Sequence, residues 1–420
     1  MKYSKYNITV DYDKNNYMIL NTLSGAIVLL DKYEYDNKTF DDKDKSRLFE
    51  NGILVDDSLD EKKLVDSVRY NYCDSPDTFS YVILPTTACN ARCLYCYEHG
   101  FVTQTMDVAT AQKVAQYIIN NSLNKKTKIQ FFGGEPLLCV DIIDSIIKQM
   151  SEQEVVFSTS FITNASQIND EIIAKMISEW HTTHIQITLD GIFDEYDKRK
   201  QYRDGTKFID IIRIIGKLAL NGISVNIRLN IDKDNVDNII QLIDFLNMQN
   251  WNRNYISVFP VPLYYSGKST QKKERCFLVS EIDEFFLPIY KKMYECGFIR
   301  SPGYFKFGLR THFCGANIKN HIVIAPNGNL FKCQHLGSFN SSVGSIDDID
   351  SNKCYNNKFQ SNVLNEECEN CVWLPSCQGG CRVNPNGESG VFMCPIIKYT
   401  TNSSIFILKQ LIQGGAFYEQ

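Results

Sequence analysis

The sequence predicts an α/β fold in three parts: a partial (β/α)6 barrel of TIM type, a winged-helix-like α+β unit before it and a cysteine-rich domain after it. Three observations lead to this division. Strand and helix patterns alternate between residues 80 and 262, the first 78 residues mix the two differently, and eight of the 15 cysteines lie between residues 314 and 394. A chain of 420 residues has room for about two to four domains.

The barrel is predicted from six short runs that are rich in β-branched and aromatic residues. They read SYVILP, IQFFGG, VFSTSFIT, HIQITLDG, SVNIRLNI and YISVFPV. Helical patterns such as DVATAQKVAQYIINN and FIDIIRIIGKLALNG separate them. This alternation implies parallel strands joined by right-handed crossovers, and six strands are too few for a closed eight-stranded barrel. We expect the barrel over residues 79–304, with its chemistry at the carboxyl ends of the strands.

Residues 1–78 follow the order of a small winged-helix unit. YNITVDY and NYMILNT are strand candidates separated by the turn signal DKNN, and ENGILVDD is a candidate wing. SGAIVLLDKYEY and DEKKLVDSVRYNY are predicted to be helices. Because this stretch is acidic overall, it does not favour DNA binding. The simplest alternative is an N-terminal cap on the barrel.

Charge and hydropathy argue against two classes of partner. The net charge of −5 gives no electrostatic reason to bind nucleic acid, which calls for a basic surface. No apolar run approaches the roughly 20 residues that span a bilayer. The opening MKYSKYNITV turns polar at once, unlike a secretory leader. We therefore expect a cytoplasmic protein with no nucleic-acid or membrane partner.

The clustered cysteines among the 15 are expected to bind metal, because thiols stay reduced in the cytosol and clustered ones there are typically ligands. The odd total also argues against a fully paired disulfide framework. Ten of the 15 fall into two spaced groups. The other five are scattered, and most are interpreted as small buried apolar residues: Cys73, Cys139, Cys276, Cys296 and Cys354.

The first group directly follows the first predicted strand, in TTACNARCLYCYEHG. It contains Cys89, Cys93 and Cys96, separated by three and then two residues. Structural zinc sites use four ligands, whereas an iron–sulfur cluster held by three thiolates keeps one iron open. The spacing favours a cluster. A zinc-binding module and a cluster-bearing electron carrier are the alternatives from other functional classes.

This motif resembles the signature of the radical S-adenosylmethionine (SAM) enzymes, including an aromatic residue before the last cysteine. In that family the three cysteines hold a [4Fe–4S] cluster whose open iron binds SAM. FGGEP, ITNAS, ITLDG and NIRLNID, at successive predicted strand ends, extend the resemblance. Glycines allow close backbone approach, and a carboxylate suits the ammonium of SAM. The resemblance implies SAM contacts from Tyr95, Gly133, Gly134, Glu135, Asn164, Thr188, Asp190 and Arg228, with Asn230 close by.

The second group contains seven ordered cysteines, most of them in CENCVWLPSCQGGCRVNPNGESGVFMC. A zinc ribbon is the alternative for the Cys-x2-Cys element alone. The whole pattern resembles the SPASM extension of radical SAM enzymes, which carries two auxiliary iron–sulfur clusters. We expect this domain over residues 305–405, followed by a tail at 406–420.

The resemblance also divides these seven cysteines into two ligand sets. The Cys368 set consists of Cys368, Cys371, Cys377 and Cys394, and the Cys314 set consists of Cys314, Cys333 and Cys381. The Cys314 set lacks a fourth member. Either Cys296 or Cys276 completes it, or one iron stays open and binds a substrate thiolate.

The resemblance implies an enzyme that cleaves SAM reductively. The product is a 5′-deoxyadenosyl radical that abstracts hydrogen from the substrate, with electrons from a reductant such as flavodoxin or ferredoxin. The protein's share is to bind, orient and shield the reactants. The sequence identifies no catalytic acid or base.

Two substrate branches compete. In one, the enzyme modifies a ribosomally made precursor peptide and forms a thioether or carbon–carbon crosslink. Residues 1–78 resemble the domain that captures the leader of such a peptide as an added strand. In the other, it matures a sulfatase, and that branch carries a proton-accepting Asp after the cysteine that matches Cys333. Here Gln334 follows, and an amide does not accept a proton at neutral pH. We favour the precursor peptide.

Anaerobic reconstitution tests the cluster assignment. We expect about twelve irons per chain if three [4Fe–4S] clusters form, and 5′-deoxyadenosine from SAM under dithionite. Replacing Cys89, Cys93 and Cys96 together with Ala should abolish this cleavage and leave the auxiliary spectra unchanged. Cleavage by the triple variant, or a zinc-loaded inactive wild type, would contradict the assignment.

Overall fold

The computed structural model describes residues 1–74, 78–100, 102–122, 125–264, 273–335, 342–348, 364, 366–381 and 394–415. All of the predicted site residues lie within these ranges. Cys354, one of the five scattered cysteines, lies outside them.

The N-terminal unit is a three-stranded antiparallel sheet with three helices. Its elements are β1 (Lys2–Tyr3), β2 (Asn7–Asp11), β3 (Asn16–Asn21), β4 (Ile27–Asp31), α1 (Lys32–Asn37), α2 (Asp42–Glu50), β5 (Leu54–Val55) and α3 (Glu61–Asp74). The sheet order is β2-β3-β4, and β1 pairs separately with β5. The strands predicted at YNITVDY and NYMILNT are confirmed as β2 and β3, and the helix predicted at DEKKLVDSVRYNY is α3.

The helix predicted over SGAIVLLDKYEY is wrong in its first half, which forms strand β4. Val28 and Leu30 are more deeply buried than their neighbours, which is the period of two expected of a strand. The helix α1 begins only after Asp31, whose carboxylate caps it by accepting bonds from the two backbone N–H groups of Tyr33 and Glu34. The predicted wing is reduced to Leu54–Val55, and α2 was not predicted.

The barrel contains the six predicted strands. Its elements are β6 (Thr78–Ile83), α4 (Val108–Ser122), β7 (Lys126–Phe131), α5 (Val140–Glu152), β8 (Phe157–Thr163), α6 (Asp170–Ser178), β9 (Thr182–Leu189), α7 (Asp194–Lys200), α8 (Phe208–Leu220), β10 (Ser224–Ile231), α9 (Val236–Asn247), β11 (Ile256–Pro262) and α10 (Ile282–Glu295). All six strands are parallel, in the order β6-β7-β8-β9-β10-β11. The predicted partial (β/α)6 barrel is confirmed.

The C-terminal part extends this sheet beyond β6, which the sequence did not indicate. Its elements are β12 (His321–Ile324), β13 (Asn329–Phe331), β14 (Gly344–Ser345), α11 (Glu366–Glu369), α12 (Leu374–Cys377), α13 (Ile396–Tyr399) and α14 (Thr401–Gln413). Strand β12 pairs in parallel with β6, and β13 and β14 follow it antiparallel. The sheet therefore has nine strands among the described residues.

Side chains along the barrel strands point alternately to the buried layer between strands and helices and to the interior of the barrel, the lumen. On β9 and β10 the residues Ile187 and Ile227 are fully buried in the main core, whereas Thr188 and Arg228 point to the opposite face. Thr188 and Arg228 stand side by side in the register of the two strands. The lumen thus receives polar side chains from neighbouring strands.

Helix α14 packs against α10 and buries Ile407, Leu408 and Leu411. The predicted boundary at residue 405 falls inside this helix. Among the helices that the structure describes, none has both the length and the apolar character of a membrane span.

A buried ion pair ties α7 to the end of β10. The Arg199 guanidinium donates two bonds to the carboxylate of Asp232, at 2.8 and 2.9 Å, and a third to Glu195. The side chains of Arg199 and Asp232 are only 3% and 2% exposed. Because each charge is buried, each depends on the other for compensation.

Replacing Arg199 with Met should therefore lower the free energy of unfolding by about 3–5 kcal/mol, since the buried Asp232 carboxylate would lose both guanidinium bonds and the positive charge beside it. Arg213→Met is the matched control, because the Arg213 side chain is 70% exposed in its pair with Asp210; its effect should stay within about 0.5 kcal/mol. Chemical denaturation of both variants measures the difference. Equal effects would contradict the role given to the buried pair.

Candidate active site

The first cysteine loop, residues 84–100, follows β6 at the carboxyl end of the barrel strands. Its three thiols, on Cys89, Cys93 and Cys96, are partly buried and unbridged. Burial raises the pKa of Cys89 to about 11 and that of Cys96 to about 12. At neutral pH these thiols therefore stay protonated unless a bound group, such as a metal, compensates the negative charge of the thiolate.

The backbone after β7, which includes two glycines, lies directly against the start of this loop and bonds to it. The N–H of Gly134 donates to the Thr86 carbonyl at 3.1 Å, and the N–H of Glu135 donates to the Ala88 carbonyl at 2.8 Å. A Cβ on Gly133 would stand 2.3 Å from the Thr86 oxygen, and one on Gly134 would stand 2.0 Å from the Ala88 oxygen. The close approach that the sequence predicted at these glycines is therefore made by the cysteine loop itself.

The middle of the loop is held by the carboxyl end of α7. The N–H of Arg92 donates to the Lys200 carbonyl and that of Leu94 to the Arg199 carbonyl, both at 3.0 Å. These two bonds bracket Cys93. The loop is thus fixed between the end of β7 and the end of α7.

Tyr95, Asp190 and Lys200 form a buried network beneath the loop. The Tyr95 hydroxyl donates to Asp190 Oδ2 at 2.6 Å, and Lys200 Nζ lies 2.7 Å from that hydroxyl and 3.1 Å from the same carboxylate oxygen. Burial alone would lower the pKa of Lys200, but the Asp190 charge beside it raises the pKa above its usual value. Lys200 was not predicted; its only sequence signal is a basic run, DKRK, shortly after Asp190.

Asp190 has one acceptor left over. Its Oδ1 is buried and has no hydrogen-bond partner among the residues that the structure describes, which costs free energy unless a donor arrives. A bound ligand that carries a hydroxyl or ammonium group would supply that donor.

Glu135 is fully buried, and its carboxylate is already bonded to the protein. It accepts bonds from the Thr163 hydroxyl at 2.6 Å, the Asn164 N–H at 2.8 Å and the Leu137 N–H at 3.2 Å. Burial raises its pKa to about 7, although these bonds favour the charged form. The observed role of Glu135 is to join the ends of β7 and β8.

Asn164 contacts the first cysteine loop, and Arg228 lies near Tyr95 and Asp190. The Asn164 amide nitrogen is 2.9 Å from Asn90 Oδ1 and 3.8 Å from the Cys89 sulfur, so it touches the first cysteine loop. Arg228 Nε donates to Asn230 Oδ1 at 2.8 Å. Burial lowers the pKa of Arg228, which faces Tyr95, Tyr264 and Asp190.

An aromatic stack that the sequence did not indicate bridges the first cysteine loop and the C-terminal part. The rings of Tyr97 and His335 stack with centroids 4.2 Å apart, and the Tyr264 hydroxyl lies 3.4 Å from His335 Nε2. Burial lowers the pKa of His335 to about 4, with Arg228 as a second cause. A neutral imidazole is expected there at neutral pH. Gln334, its neighbour in sequence, is partly buried.

The structure gathers the Cys314 set around Ala316. Cys333 and Cys381 pack against Ala316. The pKa of the Cys314 thiol is raised mainly by burial, and the negative charge of Cys381 raises it further. The pKa of Tyr97 is raised mainly by burial and then by several nearby charged groups, of which Cys333 makes a smaller contribution. The Cys314 set therefore lies beside the aromatic stack.

The Cys368 set is a separate gathering. The pKa of Cys377 is raised to about 12 by burial first and then by the charges of Cys394, Cys368 and Cys371. Burial lowers the pKa of Lys398, but the nearby Cys371 and Cys394 raise it above its usual value. The division into two ligand sets that the resemblance implies stays a prediction.

Cys296 and Cys276, the two cysteines proposed as a fourth ligand of the Cys314 set, have their described contacts elsewhere. The Cys296 sulfur instead lies 3.6 Å from Asp244 Oδ1, in the layer of α9 and α10. Cys276 lies near Asp232 and Lys233. In the described parts of the chain, no three His, Cys, Asp or Glu side chains have the spacing of ligands to a single metal ion.

Comparison with known proteins identifies the central part of the chain. Residues 83–246 match the radical SAM superfamily. A cysteine-type anaerobic sulfatase-maturating enzyme from Clostridium novyi is 24% identical over 361 residues, which cover 76% of this chain and 94% of that enzyme. The radical SAM cyclopropyl synthase TigE from Paramaledivibacter caminithermalis is 21% identical over 412 residues, which cover 88% of this chain and 83% of that enzyme.

Two solved structures share the fold. Native anSMEcpe with bound AdoMet superimposes with a TM-score of 0.62 at 17% identity, covering 80% of this chain and 98% of that one. Streptococcus suis SuiB bound to its precursor peptide SuiA superimposes with a TM-score of 0.54 at 14% identity, covering 92% of this chain and 97% of that one. The second alignment thus spans more of this chain.

Gly134→Ala tests how the first cysteine loop is seated. The added Cβ would meet the Ala88 oxygen at 2.0 Å, so the loop should be displaced and the first cluster lost. We expect about eight irons after reconstitution in place of about twelve, and no SAM cleavage. Gly303→Ala, whose added Cβ meets only Ser301 Oγ at 3.5 Å, is the matched control. Wild-type iron content in Gly134→Ala would contradict this account.

Proposed function

Because this chain is a radical SAM enzyme, we propose that it modifies a ribosomally synthesised precursor peptide and forms a thioether or carbon–carbon crosslink in it. The observation that carries the proposal is the N-terminal unit. Its three-stranded sheet leaves two strand edges, β2 and β4, and it is docked beside the cysteine-rich part. An added strand on such an edge is a simple way to hold an extended peptide.

Strand β4 is the better edge for this purpose. Near β2, Lys409 of α14 donates to the Asp11 carbonyl, and Asn402, Ile405 and Phe406 of α14 line a cavity with Val10 and Asp11. The end of the β2 edge is therefore already engaged by the protein. Strand β4 pairs only with β3 among the described strands.

The first cysteine loop fits the cofactor that the superfamily uses. We assign a [4Fe–4S] cluster to Cys89, Cys93 and Cys96, and SAM contacts to the residues around them that the sequence predicted. When bound, cluster and SAM supply a 5′-deoxyadenosyl radical that abstracts hydrogen from the substrate.

The protein's own residues orient and enclose this site. Tyr95 and Lys200 hold the Asp190 carboxylate still, so that its free oxygen can accept one bond from a bound group. The Tyr97–His335 stack covers the space between the first cysteine loop and the Cys314 set, which restricts access of water. These are the binding, orienting and shielding tasks that cofactor chemistry leaves to a protein.

We further propose auxiliary clusters at the two C-terminal sets. The Cys368 set offers four thiols, which complete a [4Fe–4S] cluster. The Cys314 set offers three, and neither Cys276 nor Cys296 is gathered with them. Its cluster would keep an iron open for a substrate thiolate, which suits thioether formation.

Sulfatase maturation is the second candidate, favoured by the higher TM-score of anSMEcpe. Gln334 argues against it, because an amide lacks the basicity of the Asp expected at that position. The neighbouring His335 has its pKa lowered by burial, so it is a weak base. The crosslinking reaction therefore remains the preferred function.

Co-expression with the short reading frames beside the gene tests the proposal. A true precursor should lose two hydrogen atoms per crosslink, and tandem mass spectrometry should show that the linked residues no longer fragment independently. The triple variant of Cys89, Cys93 and Cys96 is the control and should leave the peptide unchanged. Formylglycine in a sulfatase-derived cysteine peptide, with no crosslink in any neighbouring peptide, would contradict the proposal.

A further inference from the structure

Tyr6 carries a hydroxyl group that has no partner among the described residues. Its side chain is 1% exposed, and the phenolic oxygen is buried without a hydrogen bond to any of those residues. Leaving a buried hydroxyl unpaired costs about 1–3 kcal/mol. A phenol buried at this cost indicates that a group absent from the bare chain accepts a hydrogen bond from it.

The ring of Tyr6 lies against the Cys368 set. It forms a small core with Val65 of α3 and Leu374 of α12, and Cys368 packs against that core. The thiol of Cys371 is also close enough to raise the pKa of Tyr6, after burial and the carboxylates Glu61, Asp66 and Asp60. Two of the four cysteines of the set thus lie around the small core to which this side chain belongs.

The backbone around Tyr6 is tied to the same segment. The Tyr6 carbonyl accepts from the Thr22 N–H at 3.0 Å, and the Thr22 hydroxyl donates to the carbonyl of Val372, the residue after Cys371. Ser376 returns a bond from its hydroxyl to the Thr22 carbonyl at 3.2 Å. Tyr6 is therefore held in a fixed position relative to the cysteines.

The nearby carboxylates already accept bonds from other donors. Glu61 accepts from the Ser4 hydroxyl and from the Lys5 N–H at 3.0 Å. Asp66 accepts from Lys62 Nζ and from Arg69 Nη2, each at 2.8 Å. Lys62 Nζ also lies 3.1 Å from Glu369 Oε2, and this ion pair joins α3 to α11. The structure gives none of these carboxylates a hydrogen bond from the Tyr6 hydroxyl among the described residues.

We infer that Tyr6 donates a hydrogen bond to a sulfur of the iron–sulfur cluster held by the Cys368 set, and that it thereby sets the reduction potential of that cluster. A donor beside cluster sulfur stabilises the reduced state, which carries one more negative charge. Tyr6 is then a positioning residue supplied by the N-terminal unit. The inference rests on the auxiliary cluster of the proposed function, but not on the identity of the peptide.

A redox titration of the reconstituted full-length protein tests this role. Dithionite is the reductant, electron paramagnetic resonance follows each cluster, and Cys377→Ala identifies the signal of the Cys368 set by its loss. Tyr6→Phe removes only the hydroxyl. We expect it to move the midpoint potential of that signal to more negative values and to leave the signal of the first cluster unchanged.

Tyr17→Phe is the matched control. Tyr17 is a partly buried tyrosine of the same unit, but it packs beside Tyr35 and Lys32 and away from the Cys368 set. Tyr17→Phe should therefore leave the midpoint potential of the Cys368-set signal unchanged. Thermal unfolding of both variants checks that each retains the wild-type fold.

Two negative results are distinguishable. If the wild type shows the signal and Tyr6→Phe leaves its midpoint potential unchanged, the role of Tyr6 is refuted and the proposed function stands. If the wild type loads iron at the first cysteine loop but shows no signal that Cys377→Ala removes, the auxiliary cluster itself is refuted.

Discussion

The seating of the first cysteine loop between the end of β7 and the end of α7 is the constraint on which the rest of the site depends. On one side the loop's carbonyls accept bonds from the N–H groups of Gly134 and Glu135, and on the other its N–H groups donate to the carbonyls of Arg199 and Lys200. The β7 end lies at the carboxyl ends of the parallel strands, where a barrel gathers its reactive groups. Because these holding bonds use backbone groups, the three thiols are not needed to hold the loop. Glycine is required at position 134 because any larger residue would push this backbone away.

Two buried ion pairs lie near that loop, and they have different roles. Arg199 and Asp232 form a buried pair that serves the fold, since their bonds fix α7 against the end of β10. Lys200 and Asp190 are also paired, but one oxygen of Asp190 has no donor among the described residues. An incompletely satisfied buried carboxylate costs free energy in the bare chain. Its cost is offset when a ligand binds, which is why we place Asp190 in the site and Arg199 in its support.

The N-terminal unit has two faces with separate tasks in our account. One strand edge is available to an extended peptide, whereas the helix α3 and the residues around Tyr6 are bonded to the segment that carries Cys368, Cys371 and Cys377. The same small unit would therefore contact both the substrate and the environment of a cluster. This arrangement gives a physical reason for its presence at the start of a chain whose chemistry lies in the barrel.

The sequence alone determined the six barrel strands and the cysteine loop after the first of them. These features depend on local periodicity and on spacing along the chain, which a sequence displays directly. The division of seven cysteines into two ligand sets came from the family resemblance and stays a prediction. The helix predicted at SGAIVLLDKYEY failed in its first half because a run such as IVLL is compatible with either element until its sheet partner is known. Only the tertiary structure brought β12 onto the barrel sheet, Lys200 beneath Tyr95, His335 onto Tyr97 and Tyr6 against Cys368. Each of these pairs joins residues far apart in the chain, and no local pattern records which distant side chains will share a buried space.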